Sequence, residues 1–100
     1  MIRHILLFSF NETITEIDIL RIKSNFLTIP ERIPGIISVE WGENNSPENK
    51  NQGFSHCINM VFNNHFSRDS YLVHQEHVSL QELFRPFISD IIVFDYICYL

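Results

Sequence analysis

Two segments of this chain are too apolar to be strands with one face in water. Ile2 to Phe10 is rich in β-branched and aromatic residues and stops at the polar pair Asn11-Glu12, which predicts a first strand. Ile91 to Cys98 is apolar almost throughout and predicts a last strand. A sheet with one solvated face alternates apolar and polar residues, so both faces of these strands must be covered.

The aromatic content points the same way. Nine Phe, three Tyr and one Trp occur in only 100 residues. A domain of this size cannot hide that much aromatic surface in one core, so we expect part of it to line a pocket or to meet a partner chain.

Helical periodicity appears in two regions between these strands. The segment Thr13 to Glu16 fits a capping box and predicts a helix that is over by about Thr28. A short helix is predicted from about Ser67 to His74. The segment Ser79 to Glu82 fits another capping box, which predicts that a further helix begins there.

Two further strands are predicted from alternating patterns. One runs from Gly35 to Trp41 and is ended by Gly42, and the other runs from Phe54 to Phe62. The polar segment Glu43 to Gly53 between them predicts a surface loop.

The resulting order is βαββαβ, which is typical of the ferredoxin-like α+β fold, a four-stranded antiparallel sheet with helices on one face. Residues 1–100 are predicted to form one domain, because chains this short rarely hold two cores. Helices on one face leave the other face of the sheet bare. We therefore predict a symmetric homodimer that closes a dimeric α+β barrel.

Composition excludes several classes of partner. The formal net charge is -5, which argues against nucleic acid or an anionic membrane surface as the main partner. The apolar stretches are far shorter than the roughly 20 residues that span a bilayer, and the first residues do not resemble a secretory signal. Cys57 and Cys98 lie in strand-like segments rather than in a disulfide framework, so we predict a cytoplasmic protein.

Histidine and tyrosine supply the candidate chemistry. On a continuous helix, the spacing of Tyr71, His74 and His77 would place them on one side. If the chain breaks before Ser79, His77 instead lies at the joint between two helices. His4 and His56 fall on strand faces that we expect to lie beneath the helices. Strands one and three are antiparallel in this fold, so only one of these two histidines is expected to approach His77.

Structural explanations compete with each candidate. A single His on an apolar strand is more often a hydrogen-bonded core residue than a catalyst. A Tyr at the end of an amphipathic helix usually belongs to the core. His74 and His77 lack the additional converging ligands that zinc or iron requires, so no metal is predicted.

Three motifs make the chain resemble the stress-responsive A/B barrel (Dabb) family. They are Tyr71-Leu-Val-His74-Gln-Glu-His77-Val, Gly53-Phe-Ser-His56, and Ile91-Ile-Val-Phe94-Asp95-Tyr96, and the resemblance spans nearly the whole chain. Family members are small dimeric α+β barrels. Within the family the chain is most similar to plant polyketide cyclases, which close poly-β-keto thioesters by aldol condensation and use no metal or organic cofactor.

The resemblance implies roles for individual residues. It places the catalytic base on His77 and its hydrogen-bonding partner on Tyr71, with His4 and His56 in the pocket. Phe26 stands where the cyclases have a Tyr in the substrate pocket, and His74 begins a His-Gln-Glu-His sequence where many members have His-Pro-x-His. We therefore predict that His4, Phe26, His56 and His74 contact substrate.

The leading hypothesis is a pocket for a small apolar carbonyl or phenolic compound, in which His77 and Tyr71 transfer protons without a cofactor. One alternative is a cofactor-independent monooxygenase. Another is a stress-related dimer in which the histidines are structural. A cavity of a few hundred cubic ångströms beside His77 would favour an enzyme or a binding protein over the structural role.

Overall fold

The four strands form one antiparallel sheet in the order β2-β3-β1-β4. The computed structural model describes residues 1–99, and Leu100, which the predicted domain includes, lies outside the described residues. Along the chain the elements are β1 (Ile2–Phe10), α1 (Glu16–Thr28), β2 (Ile36–Glu43), β3 (His56–Phe62), α2 (His65–Val73), α3 (Gln75–Phe84) and β4 (Ile88–Ile97). Short 3₁₀ turns, Ile29–Glu31 and Arg85–Phe87, follow α1 and α3. The ferredoxin-like α+β prediction is confirmed.

The helices cover one face of the sheet. Buried side chains of all three helices meet alternate residues of β1 and β3 in one cluster, which includes Leu6, Phe8, Ile22, Phe26, Ile58, Met60, Phe62, Tyr71, Leu80 and Phe84. The other face of the sheet also carries apolar side chains. Those exposed there include Leu7, Ile92, Phe94 and Tyr96.

The start of α1 differs from the predicted one. Thr15, rather than Thr13, caps the helix: its hydroxyl accepts from the backbone N–H of Asp18, whose carboxylate accepts from the N–H of Thr15. Thr13 instead donates its N–H to the side chain of Asn11 in a local turn. The predicted capping box began two residues too early, because two Thr residues compete for one helix end.

The break between α2 and α3 falls at His74 rather than near Ser79. His74 has an extended backbone (φ -72°, ψ 141°), and its ring Nδ1 accepts from the N–H of Glu76 at 3.0 Å. This contact caps α3, so the predicted start at Ser79 to Glu82 lies inside the helix. An imidazole nitrogen supplied the cap that the sequence pattern assigned to a Ser hydroxyl.

The second strand is longer than predicted and the third is shorter. Gly42 does not end β2, since the strand continues to Glu43. Phe54 does not belong to β3, because its N–H donates to the carbonyl of Asn51 in a turn. The loop between the two strands therefore covers residues 44–55 rather than the predicted 43–53.

Gly35 determines how closely α2 approaches the sheet. Its φ of 91° lies in the left-handed region that favours glycine. A Cβ on Gly35 would stand 2.5 Å from Oγ of Ser67 in α2. The carbonyl of Gly35 also accepts from the N–H of Asn63, just before α2, at 3.1 Å. This contact fixes the helix that carries Tyr71.

The helices are short. The longest, α1, has 13 residues. Within residues 1–99, none of the helices combines the length and the hydrophobicity that crossing a membrane requires.

Candidate functional site

A cavity of about 230 Å³ lies between the helices and the sheet, beside the edge strand β4. Most of its wall is apolar and comes from Leu6, Phe26, Leu72, Leu80, Phe84, Ile88, Ile91 and Val93. Five side chains with polar groups also line it: His4, Tyr71, His77, Gln81 and Arg85. An apolar concave site with a few converging polar groups is typical of small-molecule binding.

His77 lies in the first turn of α3 and is 8% exposed. Its Nδ1 is 3.0 Å from the carbonyl oxygen of Leu72. A carbonyl only accepts, so Nδ1 carries the hydrogen and the neutral ring leaves Nε2 bare. Burial lowers the pKa of His77; the bond to Leu72 opposes this, while the nearby His4 and Arg85 reinforce it. His77 therefore presents a neutral proton acceptor.

Tyr71 supplies a donor beside it. Its ring is 1% exposed, and its centroid lies 4.3 Å from that of His77. Burial raises the pKa of the Tyr71 phenol well above the ordinary 10.0. The hydroxyl accordingly keeps its proton at neutral pH and can donate a hydrogen bond to a ligand.

His4 completes this end of the cavity. Its ring centroid lies 6.1 Å from that of Tyr71, and its Nδ1 lies 2.7 Å from Oδ1 of Asp95. Phe26 lines the cavity from α1 and contacts Phe84 edge to face at 5.1 Å. The fold thus brings four of the predicted site residues to one cavity.

His56 does not line this cavity. It pairs with Phe8 across the sheet, whereas His4 pairs with Met60, so the two histidines lie at opposite ends of the β1–β3 ladder. Its ring stacks on Phe8, with centroids 5.6 Å apart, and lies 5.5 Å from that of Trp41. The expectation that only one of the two strand histidines approaches His77 matches this register.

The hydrogen-bonding groups of His56 face other polar groups. Its Nδ1 is 2.7 Å from Oγ of Ser55, and its Nε2 is 3.8 Å from a carboxylate oxygen of Glu43. Burial lowers the pKa of His56, and the charge of Glu43 opposes that shift. Its predicted contact with substrate stays a prediction.

A second hollow, of about 530 Å³, borders His56 beneath the loop after β2. It is larger than the cavity beside His77, but much of its wall is the exposed polar loop, and it reaches Leu7 and Ile92 on the open face of the sheet. Of the two, the cavity at His77 is the more enclosed and the more apolar.

His74 does not line the cavity either. Because its Nδ1 accepts from the N–H of Glu76, that nitrogen is bare and the hydrogen of the neutral ring lies on Nε2. This is the opposite tautomer to that of His77. The residue shapes the site by ending α2 and starting α3, and its predicted contact with substrate stays a prediction.

Two residues beside the cavity are absent from the predicted site. Asp95 contacts His4, and Arg68 donates to the other oxygen of Asp95 at 2.9 Å. Asp95 is the lone acidic residue in the otherwise apolar stretch Ile91 to Cys98. That charge in an apolar strand was the available signal, but only the register shows that it meets His4.

Metal binding requires three or four converging donors. Within residues 1–99, no group of three or more His, Cys, Asp or Glu side chains is placed to hold a metal ion.

A family model described as the Stress responsive A/B Barrel Domain matches residues 2–98. The chain belongs to this family. The match covers every strand and helix of the fold. Both the family and the fold inferred from the sequence motifs are confirmed.

Among the relatives matched, olivetolic acid cyclase from Cannabis sativa is 25% identical over 95 residues, which cover 95% of this chain and 94% of the cyclase. The stress-response A/B barrel domain-containing protein HS1 from Arabidopsis thaliana is also 25% identical, over 95% of this chain and 87% of that protein. The family members matched are therefore of nearly the same length as this domain.

Solved structures show the same fold. The Arabidopsis thaliana protein At3g17210 superposes with a TM-score of 0.94 at 24% identity, covering 100% of this chain and 97% of its own. Hydroxynitrile lyase from Passiflora edulis gives 0.92 at 20% identity, covering 98% and 93%. A dimeric ferredoxin-like protein from Thermobifida fusca gives 0.80 at 19% identity, covering 95% and 88%.

Proposed function

We propose that this domain binds a small, largely apolar carbonyl compound in the cavity and catalyses cofactor-independent proton transfer of the polyketide cyclase type. The observation that carries the proposal is the grouping of His77, Tyr71 and His4 at one end of an otherwise apolar cavity. Similarity to olivetolic acid cyclase over nearly the full length supports the reaction class. The cavity beside His77 favours this function over a purely structural role for the histidines.

The geometry suits the opening step of an aldol closure. Nε2 of His77 takes a proton from a methylene between two carbonyls, and the electron pair moves onto the neighbouring carbonyl oxygen. The Tyr71 hydroxyl donates a hydrogen bond to that oxygen as its negative charge grows. The enolate carbon then bonds to a second carbonyl carbon within the chain, whose oxygen takes the proton back from His77.

The apolar wall of the cavity holds the substrate folded for ring closure. Side chains such as Phe26, Leu80 and Phe84 exclude water and leave a folded conformation as the one that fits. Holding two reacting carbons of one chain together replaces an improbable encounter with a local one.

We further propose that two copies pair through the open face of the sheet. Leu7, Ile92 and Phe94 are exposed there, and such an apolar patch is typical of an interface. Within residues 1–99, the amide oxygen of Asn59, in register with Ile5 of that face, is buried without a hydrogen-bond partner. A second copy would cover the patch, and dimeric ferredoxin-like structures support this arrangement.

Small-angle scattering at micromolar concentration should give the mass of a dimer. The mass of a monomer would contradict the proposed pairing.

The activity is tested with a panel of linear poly-β-keto thioesters that carry short and long alkyl tails. We expect wild type to cyclise at least one of them, and His77→Gln to lower kcat by roughly a hundredfold or more, the contribution of a positioned base. His65→Gln is the matched control, because His65 is an exposed histidine at the start of α2.

Equal turnover by wild type and His77→Gln would remove the catalytic role of His77. Cyclisation lost equally in His65→Gln would point to a general effect of replacing a histidine. Absence of turnover across the panel would contradict the cyclase function.

A further inference from the structure

Three side chains form a continuous polar chain from the surface to the cavity. Arg68 in α2 donates from Nη1 to Oδ2 of Asp95 at 2.9 Å, and Oδ1 of Asp95 lies 2.7 Å from Nδ1 of His4. The side chains of Arg68 and Asp95 are each 23% exposed, while that of His4 is 6% exposed. Each oxygen of the carboxylate thus has its own donor, one on the solvent side and one at the cavity.

The fold specifies this arrangement at three positions. His4 and Asp95 are direct partners across the β1–β4 ladder, on the face of the sheet beneath the helices. Arg68 precedes Tyr71 by three residues in α2, so the two side chains share one side of that helix. The same helix face therefore delivers a phenol to the cavity and a guanidinium to the carboxylate behind it.

The carboxylate determines the form of the imidazole. An ionised carboxylate can only accept hydrogen bonds, so the hydrogen between Asp95 and His4 lies on Nδ1 of the ring. The neutral ring then leaves its Nε2 bare, and His4 lines the cavity beside Tyr71. His77 reaches the same tautomer through a backbone carbonyl.

We propose that Asp95, held by Arg68, is a positioning residue that fixes His4 in its Nδ1–H tautomer and so gives the cavity a second bare imidazole nitrogen. This inference rests on the proposed function for its use in catalysis, but the tautomer itself is independent of any substrate. Two acceptors and the Tyr71 donor would together recognise a ligand that carries both a carbonyl and a hydroxyl or an acidic C–H.

Several charged or titratable groups surround His4 and belong in any account of its protonation. They are Arg68 and Tyr71 on α2, His77 on α3, Arg85 after α3 and Asp95 on β4.

The test is ¹⁵N NMR of the imidazole rings at about pH 8, above the ordinary imidazole pKa of about 6.5, with the His4 signals assigned from a His4→Gln variant. In wild type we expect a protonated Nδ1 and a bare Nε2 for His4. His74 is an internal reference for the opposite tautomer, because its Nδ1 accepts from a backbone N–H.

Asp95→Asn replaces the carboxylate with an amide of the same shape, which can donate as well as accept, so we expect an Nε2–H population of His4 to appear. Asp95→Ala should enlarge that population. Asp69→Asn is the matched control, because Asp69 also binds Arg68, at Nε, and has no hydrogen bond to His4. It should leave the His4 signals unchanged.

Wild-type His4 with a protonated Nε2, or unchanged His4 signals in Asp95→Asn, would overturn the positioning role. In the thioester assay we expect kcat of Asp95→Asn to fall about tenfold or more while Asp69→Asn keeps the wild-type value. A shifted tautomer with unchanged kcat would overturn the use of this nitrogen in the reaction. A shifted tautomer in a protein that turns over none of the thioesters would contradict the proposed function alone.

Discussion

His77 and His56 occupy similar surroundings and differ in what their nitrogens can do. Both lie among aromatic rings on the helix side of the sheet, and burial lowers the pKa of both. The nitrogens of His56 face Ser55 and Glu43. Nδ1 of His77 donates to the carbonyl of Leu72, which leaves Nε2 available to a ligand in the cavity that Tyr71 also lines.

Burial and aromatic neighbours therefore do not distinguish a histidine that is available to a ligand from one that is not. The two histidines differ in which ring nitrogens already have a hydrogen-bond partner and in the space that remains beside the ring. At the His56 end of the sheet, the ring of Phe8 contacts those of His56, Trp41 and Phe84. The other end leaves a cavity beside a donor and two acceptors.

The largest expected effect tests the aromatic cluster around Phe8 at the His56 end of the sheet. Phe8 is fully buried and contacts His56, Trp41 and Phe84. Phe8→Ala should lower the free energy of unfolding by about 3–5 kcal/mol, measured by denaturant titration, because it leaves a cavity in the core. Phe66→Ala is the control: Phe66 is 69% exposed, and a change beyond about 0.5 kcal/mol is not expected. Similar losses for both would show that this end is not close-packed.

The next effect tests Tyr71, the hydrogen-bond donor at the cavity. Tyr71→Phe removes the hydroxyl and keeps the ring, so kcat in the thioester assay should fall by about a hundredfold, as when one donor to a developing oxyanion is lost. Tyr99→Phe serves as the comparison, because Tyr99 is 88% exposed. If Tyr71→Phe kept the wild-type rate, the hydroxyl would have no part in the reaction.

The third effect tests the cavity itself. Val93 lines it from β4 and is 56% exposed, so a larger side chain can be accommodated there without disturbing the core. Val93→Trp should raise KM about tenfold, equivalent to about 1.4 kcal/mol. Ile97→Trp lies on the same strand and sheet face at similar exposure but outside the cavity wall, and should keep the wild-type KM. Equal KM values for the two variants would place the ligand elsewhere.

The smallest effect is one that the two histidines should share. The folded pKa of each lies below the ordinary 6.5, so the unfolded chain binds more protons and stability falls as the pH drops below about 6.5 toward the folded pKa. His77→Gln and His56→Gln should each flatten that fall between about pH 7 and pH 5, measured by thermal unfolding. Only His77→Gln should also lower kcat in the thioester assay, and an equal loss in both variants would erase the distinction.

The sequence predicted the fold because strand and helix periodicities are local properties. Apolar strands such as Ile2–Phe10, and polar breaks such as Asn11-Glu12, were sufficient to order the elements. Element ends were less predictable. At His74 the cap is an imidazole, which no local pattern distinguishes from an ordinary helical residue.

The site was predictable only in part, for a different reason. Tyr71 and His77 are close in sequence, and the family motif names them. The link between His4 and Asp95 joins residues 91 positions apart and depends on the β1–β4 register. A shift of one residue would turn Asp95 to the other face of the sheet, and no single segment contains that information.

The contact between Gly35 and Ser67 has a consequence for any attempt to redirect this domain toward larger ligands. Because Gly35 has no side chain, Ser67 of α2 packs directly against the residue before β2, although neither residue belongs to the cavity wall. Shortening the side chains of the wall enlarges the cavity without moving α2 away from the sheet. A side chain at Gly35 would instead push the start of α2 away from the sheet, at the cost of strain where φ is positive.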